Sequence, residues 1–337
     1  MRMRKIPFML YSMKFPLVFL VLAGSFIFPL SHLIYAHTFS TSESAEFLSL
    51  TDQIRAETAL VTINLENNNA TLAQAHAEKA SSLLDNNTLG EVRERNNRIA
   101  NSLETGLEQL VGNVTSPLTS ASPEQMPQDR IQSINQAVMS LNDIMAEAVT
   151  ARVESEQQNN VTTWAMVLAD LVNVVLSDYG NATGSSFDLT DISNMAEANA
   201  TSSSTSNMTT TTIVDTAAYQ SAQYLVNNTI LQLFNDTLKP LTVSSNGTSS
   251  DNNNATTITQ GGQDTSPAAG NMTTDIDQLE ANLLQLKDDI NGKATPNEVM
   301  MTVHLNIHPL LMQSYGLTLE QEEGGGEEEH DSDHDEE

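Results

Sequence analysis

Apolar side chains return at three- and four-residue steps in one segment after another of this chain, and that spacing leaves little choice but helices packed face to face. Behind a Ser40-x-x-Glu43 capping box, Phe47, Leu50, Ile54, Val61 and Leu65 place a helix over residues 41–66. After the Asn67-Asn68-Asn69 break, Leu72, His76, Ala80 and Leu83 share one face of a shorter helix, and Val92, Asn96, Ile99, Leu103, Leu107 and Leu110 define a third. Ile131, Ile134, Val138, Leu141, Met145 and Ala148 form a heptad stripe, and Trp164, Leu168, Leu171, Val175 and Tyr179 a fifth, with Gly180 placed as its C-cap. Connections this short force neighbouring helices to pack antiparallel. No sustained two-residue alternation appears, so a sheet is not expected. The expected fold is all-α: an up-and-down helical bundle, then Ser/Thr/Asn-rich linkers, then a C-terminal helical hairpin.

Domain boundaries follow composition. Residues 1–36 read as a signal peptide or membrane anchor, 37–180 as a bundle able to fold independently, and 181–213 as a polar linker. Residues 214–241 form an amphipathic helix stopped by Pro240. The Ser-, Asn- and Thr-dense stretch 242–274 is too poor in apolar residues to offset the entropy of ordering, so a flexible linker is expected. Ile276, Leu279, Leu283, Leu286 and Ile290 open the hairpin over 275–319, and Thr295-Pro296-Asn297-Glu298 combines an N-cap, a first-turn proline and a capping-box glutamate for its second helix. Residues 320–337 are an acidic, His-containing tail. The run from Trp164 to Leu176 is broken by Asp170 and Asn173 and reads as a buried helix rather than a membrane span.

Arg2, Arg4, Lys5 and Lys14 precede the apolar run Phe15 to Leu30, and Ala36 offers a cleavage point before His37. Uncut, residues 15–36 are long enough to remain as an anchor. Beyond them come twelve Asn-x-Thr acceptors, at Asn69, Asn86, Asn113, Asn160, Asn181, Asn199, Asn207, Asn227, Asn235, Asn246, Asn254 and Asn271. Their confinement to the part after the apolar run implies an exported, N-glycosylated chain at the cell surface or outside the cell. Cysteine is absent, so disulfide-stapled scaffolds are excluded. The net charge of -29 makes nucleic acid and anionic lipid headgroups poor partners for the mature domain, because phosphate binding needs clustered Lys and Arg, and no nucleic-acid partner is expected. Divalent cations and proteins of the cell envelope or membrane surface fit better.

Met300, His304, His308 and Met312 recur every four residues, with Met301 alongside, so imidazole and thioether groups can share one helical face. Soft sulfur with imidazole nitrogen suits copper. The same residues also suit a buried Met-rich stripe packed on Leu279 and Leu283, and Pro309 threatens the helix that would carry them. Cleavage before His37 would leave its amine and imidazole as a bidentate copper chelate. In the tail, His330 and His334 stand among carboxylates that can capture divalent ions weakly. His76, on an apolar face, reads as a hydrogen-bonded core histidine that Glu57 or Asp52 could meet. There is no Gly-x-Ser-x-Gly elbow, phosphate-cradling glycine loop, His-Glu-x-x-His or repeated Glu-x-x-His, and no catalytic residue is assigned.

The segments His37-Thr38-Phe39-Ser40, Phe47-Leu48-Ser49-Leu50 and Thr71-Leu72-Ala73-Gln74-Ala75-His76-Ala77 resemble uncharacterised exported proteins of ammonia-oxidising archaea. The resemblance covers mainly residues 37–110, with an echo at Val303-His304-Leu305-Asn306-Ile307-His308-Pro309. It implies an archaeal cell surface and a copper-rich metabolism, and brings no catalytic motif. The functional expectation is an exported helical binding protein for copper or another divalent cation. The alternatives are a structural surface glycoprotein without a specific ligand, and an extracytoplasmic sensor or accessory subunit.

Overall fold

The computed structural model describes residues 41–115, 127–185, 211–247 and 272–317. The export segment, His37, His330, His334, and the acceptors Asn199, Asn207, Asn254 and Asn271 lie outside the described residues, and of Asn246 only the helical backbone is described. The described residues are helical with no strand, as the apolar spacing requires.

α1 (Thr41–Glu66), α2 (Ala70–Leu83), α3 (Asn86–Thr115), α4 (Gln128–Arg152) and α6 (Val161–Thr183) form the bundle, with the single turn α5 (Ser155–Gln158) before α6. α1 packs against α2, α4 and α6, while α3 packs against α2 and α4. Asn69 and Asn160 cap α2 and α6, their side chains accepting from the amides of Leu72 and Thr162. Asn96 does not sit in a helical face as its position in the repeat suggests. Its backbone leaves helical space (φ -156°, ψ 95°) and kinks α3, while its carboxamide oxygen accepts from the amides of Arg98 and Ile99. An Asn side chain competes with the backbone in this way.

α6 is the central element. Among the described residues it is the one helix apolar and long enough to cross a membrane, yet Val167, Leu168, Leu171, Val172 and Val175 are wholly buried inside the protein. It does not stop at Gly180, as the glycine suggested. Gly180 is buried within the helix, and the C-cap is Gly184, whose φ of +69° is the left-handed conformation that glycine supplies without strain.

The next helix, α7 (residues 216–247), also runs further than expected. Asp215 caps it with bonds from the amides of Ala217 and Ala218, and a continuous rod follows: α-helical Thr216–Tyr224, π-helical Leu225–Ile230, α-helical Leu231–Leu233, π-helical Phe234–Leu238 and α-helical Lys239–Gly247. Pro240 therefore does not end the helix. The carbonyl it would clash with, that of Asp236, lies in the second π stretch, where wider turns remove the demand for an amide four residues on.

The C-terminal hairpin comprises α8 (Met272–Gly292) and α9, the latter built from α-helical Pro296–Met301, π-helical Thr302–Ile307 and α-helical His308–Tyr315. The Thr295 capping box forms as expected. Pro309 repeats the solution found at Pro240, since Leu305 lies in a π segment and the helix continues to Tyr315. α7 and the hairpin share one hydrophobic core with the bundle. The Tyr179 hydroxyl donates to the Ala294 carbonyl (2.6 Å), and the Tyr219 hydroxyl donates to that of Ile290 (3.0 Å).

Candidate functional site

Two polar constellations lie within this helical frame. The first is on α9. Met300 is buried at 3 % exposure, His308 at 6 %, and Met301 and His304 are half-buried. Four residues of mixed α and π geometry still return to nearly the same face, so the imidazoles of His304 and His308 meet edge to face with ring centroids 4.9 Å apart. The Nε2 atoms of both rings are buried and have no hydrogen-bond partner. Burial pulls the His304 pKa down, and burial with His304 beside it pulls that of His308 to about 4. Both rings are thereby kept neutral at physiological pH, the form in which imidazole binds metal. Met312 is exposed and outside this group. Among the described residues no three His, Asp or Glu side chains gather closely enough to hold an ion. The local donor set is two imidazoles, with two methionines in the turn before them.

The second constellation is buried between α1, α2, α6 and α7. His76, fully buried, presents Nδ1 to Glu57 Oε2 at 2.7 Å and Nε2 to Gln220 Oε1 at 3.0 Å. Asn64 Nδ2 donates to the Leu60 carbonyl and to Gln220 Oε1, which fixes the orientation of both carboxamides. An oxygen therefore stands at each end of the imidazole, and both ring nitrogens have to donate for both contacts to be hydrogen bonds. Lys79 bridges Glu57 Oε1 (3.0 Å) and Asp178 Oδ1 (2.7 Å). Burial pushes the Glu57 carboxyl up, but the bond to His76 and the charge of Lys79 outweigh it and leave the pKa lowered. Burial likewise opposes the charge on Lys79, but Asp178 and Glu57 prevail and raise its pKa. For Asp178 burial wins, so its pKa is raised, and Oδ2 is left without a partner.

Glu57 thus meets His76 as the sequence allowed. Asp52 does not: it pairs with Arg55 at 3.0 Å on another face of α1. Lys79, Asp178, Gln220 and Asn64 were not foreseen. The legible signal was a charged residue beside an apolar stripe, Asp178 next to Tyr179, but its partner was four helices away in the chain. The buried Ser221 hydroxyl also faces Glu57, and these linked side chains tie α1, α2, α6 and α7 into one register.

The described acceptor asparagines differ in which atom is engaged. Asn86 and Asn181 are exposed, and Asn69 and Asn160 use their oxygen as a cap, leaving Nδ2, the atom that carries a glycan, available. Asn113 is half-buried. Asn227 instead donates Nδ2 to the Gln223 carbonyl (2.7 Å) and to Asn291 (3.2 Å), and exposed Asn235 donates to the Leu231 carbonyl (2.9 Å).

No family model, curated protein or solved structure matches the chain.

Proposed function

We propose that this is an exported, N-glycosylated helical protein of the cell surface that binds copper through His304 and His308. The observation that carries this reading is the pair of neutral imidazoles whose Nε2 atoms are both buried and unpartnered. A buried polar atom without a partner costs roughly 1–3 kcal/mol, so two side by side call for a ligand. Zinc favours four ligands and hard divalent ions favour six or more oxygens, neither of which this face of α9 supplies. A cuprous ion accepts few, soft donors, and Met300 and Met301, in the turn before His304, are the nearest thioethers along the helix. The acceptor asparagines with accessible Nδ2 and the basic-apolar N-terminal sequence support the surface location.

The test is cuprous and zinc titration of the mature glycoprotein against a chromophoric chelator, beside His304→Ala/His308→Ala. Because His37, His330 and His334 can also bind copper, the expected difference is loss of one tight cuprous equivalent while weaker binding persists. Zinc binding should be unchanged. Equal cuprous stoichiometry and affinity in the two proteins, with unaltered helical circular dichroism, would overturn the copper assignment and favour a structural surface glycoprotein.

A further inference from the structure

A cleft of about 660 Å³ opens between α1, α6 and the π-helical part of α7. Its volume falls in the range of roughly 300–1,000 Å³ typical of small-molecule sites. Trp164 and Tyr224, both half-buried, supply two aromatic surfaces. The indole is held in place, since its Nε1 donates to the Gln158 carbonyl at 2.7 Å. Opposite, Asp52 and Arg55 form the ion pair on α1.

The α7 wall is polar and poised outward. Thr229, Gln232, Asp236 and Thr237 line the cleft, and none of their side chains is hydrogen-bonded to the described protein. Thr183 and Thr242 return their hydroxyls to the carbonyls of Tyr179 and Leu238, four residues earlier. Thr229 and Thr237, each in a π segment, do not. Pro240 accounts for Phe234–Leu238, and Pro309 for Thr302–Ile307, but no proline accounts for Leu225–Ile230. Such turns are frequent at functional sites.

We propose that this cleft is a binding site for a neutral saccharide. The C–H face of a sugar ring is apolar and packs on an aromatic ring, while each hydroxyl both donates and accepts. That pattern is matched by indole and phenol beside carboxylate, carboxamide, hydroxyl and guanidinium groups. Two carboxylates against one guanidinium disfavour an anionic ligand, and the ring of polar side chains disfavours an apolar one. Two sources supply such a ring: a free sugar, or a glycan on Asn235, which is adjacent to Asp236 and, being exposed with one Nδ2 bond to the Leu231 carbonyl against the two of half-buried Asn227, is the easier to release for modification. The site is separate from the copper pair.

Trp164 is the only tryptophan in the chain, so its fluorescence reports on this cleft alone. In one arm, mature protein made without glycosylation is titrated with glucose, mannose, galactose, N-acetylglucosamine and their disaccharides. A saturable emission shift is expected for at least one, weakened tenfold or more in Gln232→Ala/Asp236→Ala and unchanged in His304→Ala/His308→Ala. Both substituted side chains are exposed and unpartnered, so the fold should survive, as circular dichroism will report. In the second arm, enzymatic deglycosylation of the glycoprotein shifts Trp164 emission, and Asn235→Gln abolishes that shift if the chain's own glycan is the occupant. The proposal is overturned if both arms are silent, if the cleft variant responds like the parent, or if tetramethylammonium shifts the emission and sugars do not.

Discussion

Replacing Glu57 by alanine should be among the most damaging single changes in the bundle. The carboxylate is 2 % exposed and holds His76 and Lys79 at once. Removing one partner of a buried ion pair typically costs about 3–5 kcal/mol, because the remaining charge has lost its compensation without regaining water. The two sides contribute unequally here. Lys79 has a side chain 30 % exposed and keeps Asp178 at 2.7 Å, so its share falls toward the roughly 0–1 kcal/mol of a solvent-screened pair. His76 is fully buried and retains only Gln220, so its stranded Nδ1 dominates. The expected loss is about 3–4 kcal/mol at neutral pH, and about half that for Glu57→Gln, which keeps the volume and an acceptor. Urea denaturation of the mature protein, followed by far-ultraviolet circular dichroism, measures it, and a cycle with His76→Ala isolates the pair. The sign with pH is fixed. Glu57 has a folded pKa below its ordinary value of 4.5, so its contribution is complete above that value and disappears as pH falls through the lower folded one. A cost below about 1 kcal/mol at neutral pH, typical of surface pairs, would refute the claim that this network is desolvated.

Two other predictions concern titration and modification. His308 drops from 6.5 to about 4 on folding through burial and the neighbouring His304, so the unfolded chain binds more protons between those values and stability falls as pH decreases across them. The difference of 2.5 units corresponds to about 3 kcal/mol, which His308→Gln should largely remove in acid-denaturation curves, whereas an unchanged acid limb would show that the ring is not desolvated. Glycopeptide mapping should find Asn86 and Asn181 occupied and Asn227 largely unmodified, since its Nδ2 is committed to Gln223 and Asn291; equal occupancy at Asn227 would contradict this.

Helix class and most helix positions were legible locally, because period and capping are properties of neighbouring residues. The stripe from Ile131 to Ala148, the Thr295 capping box and the start of α1 at Thr41 all follow from side chains within a turn or two. The four-residue pairing of His304 with His308 was legible for the same reason. Where local rules failed, a tertiary term had outweighed them. Gly180 and Pro240 looked like helix ends, yet burial of Tyr179 and Ala182 carries α6 onward, and π turns absorb the missing amide at Pro240 within a rod whose Phe234 and Leu238 are wholly buried. Asn96 fitted an apolar repeat by position, but its carboxamide gains more by capping the amides after the kink.

The sequence by itself determined that this chain makes amphipathic helices, in which order, and which histidines share a helical face. Only the tertiary structure decided that Lys79 and Asp178 join Glu57 and His76, that Asp52 turns instead toward a cleft with Trp164, and that the two α9 imidazoles lose water together. Those outcomes depend on which helix faces meet. A helix face is written in three- and four-residue steps, but its partner is chosen by packing across separations of tens to hundreds of residues, 99 between Lys79 and Asp178 and 144 between His76 and Gln220. Desolvation, and with it the pKa shifts of Glu57, Lys79, Asp178, His304 and His308, exists only once that choice has been made.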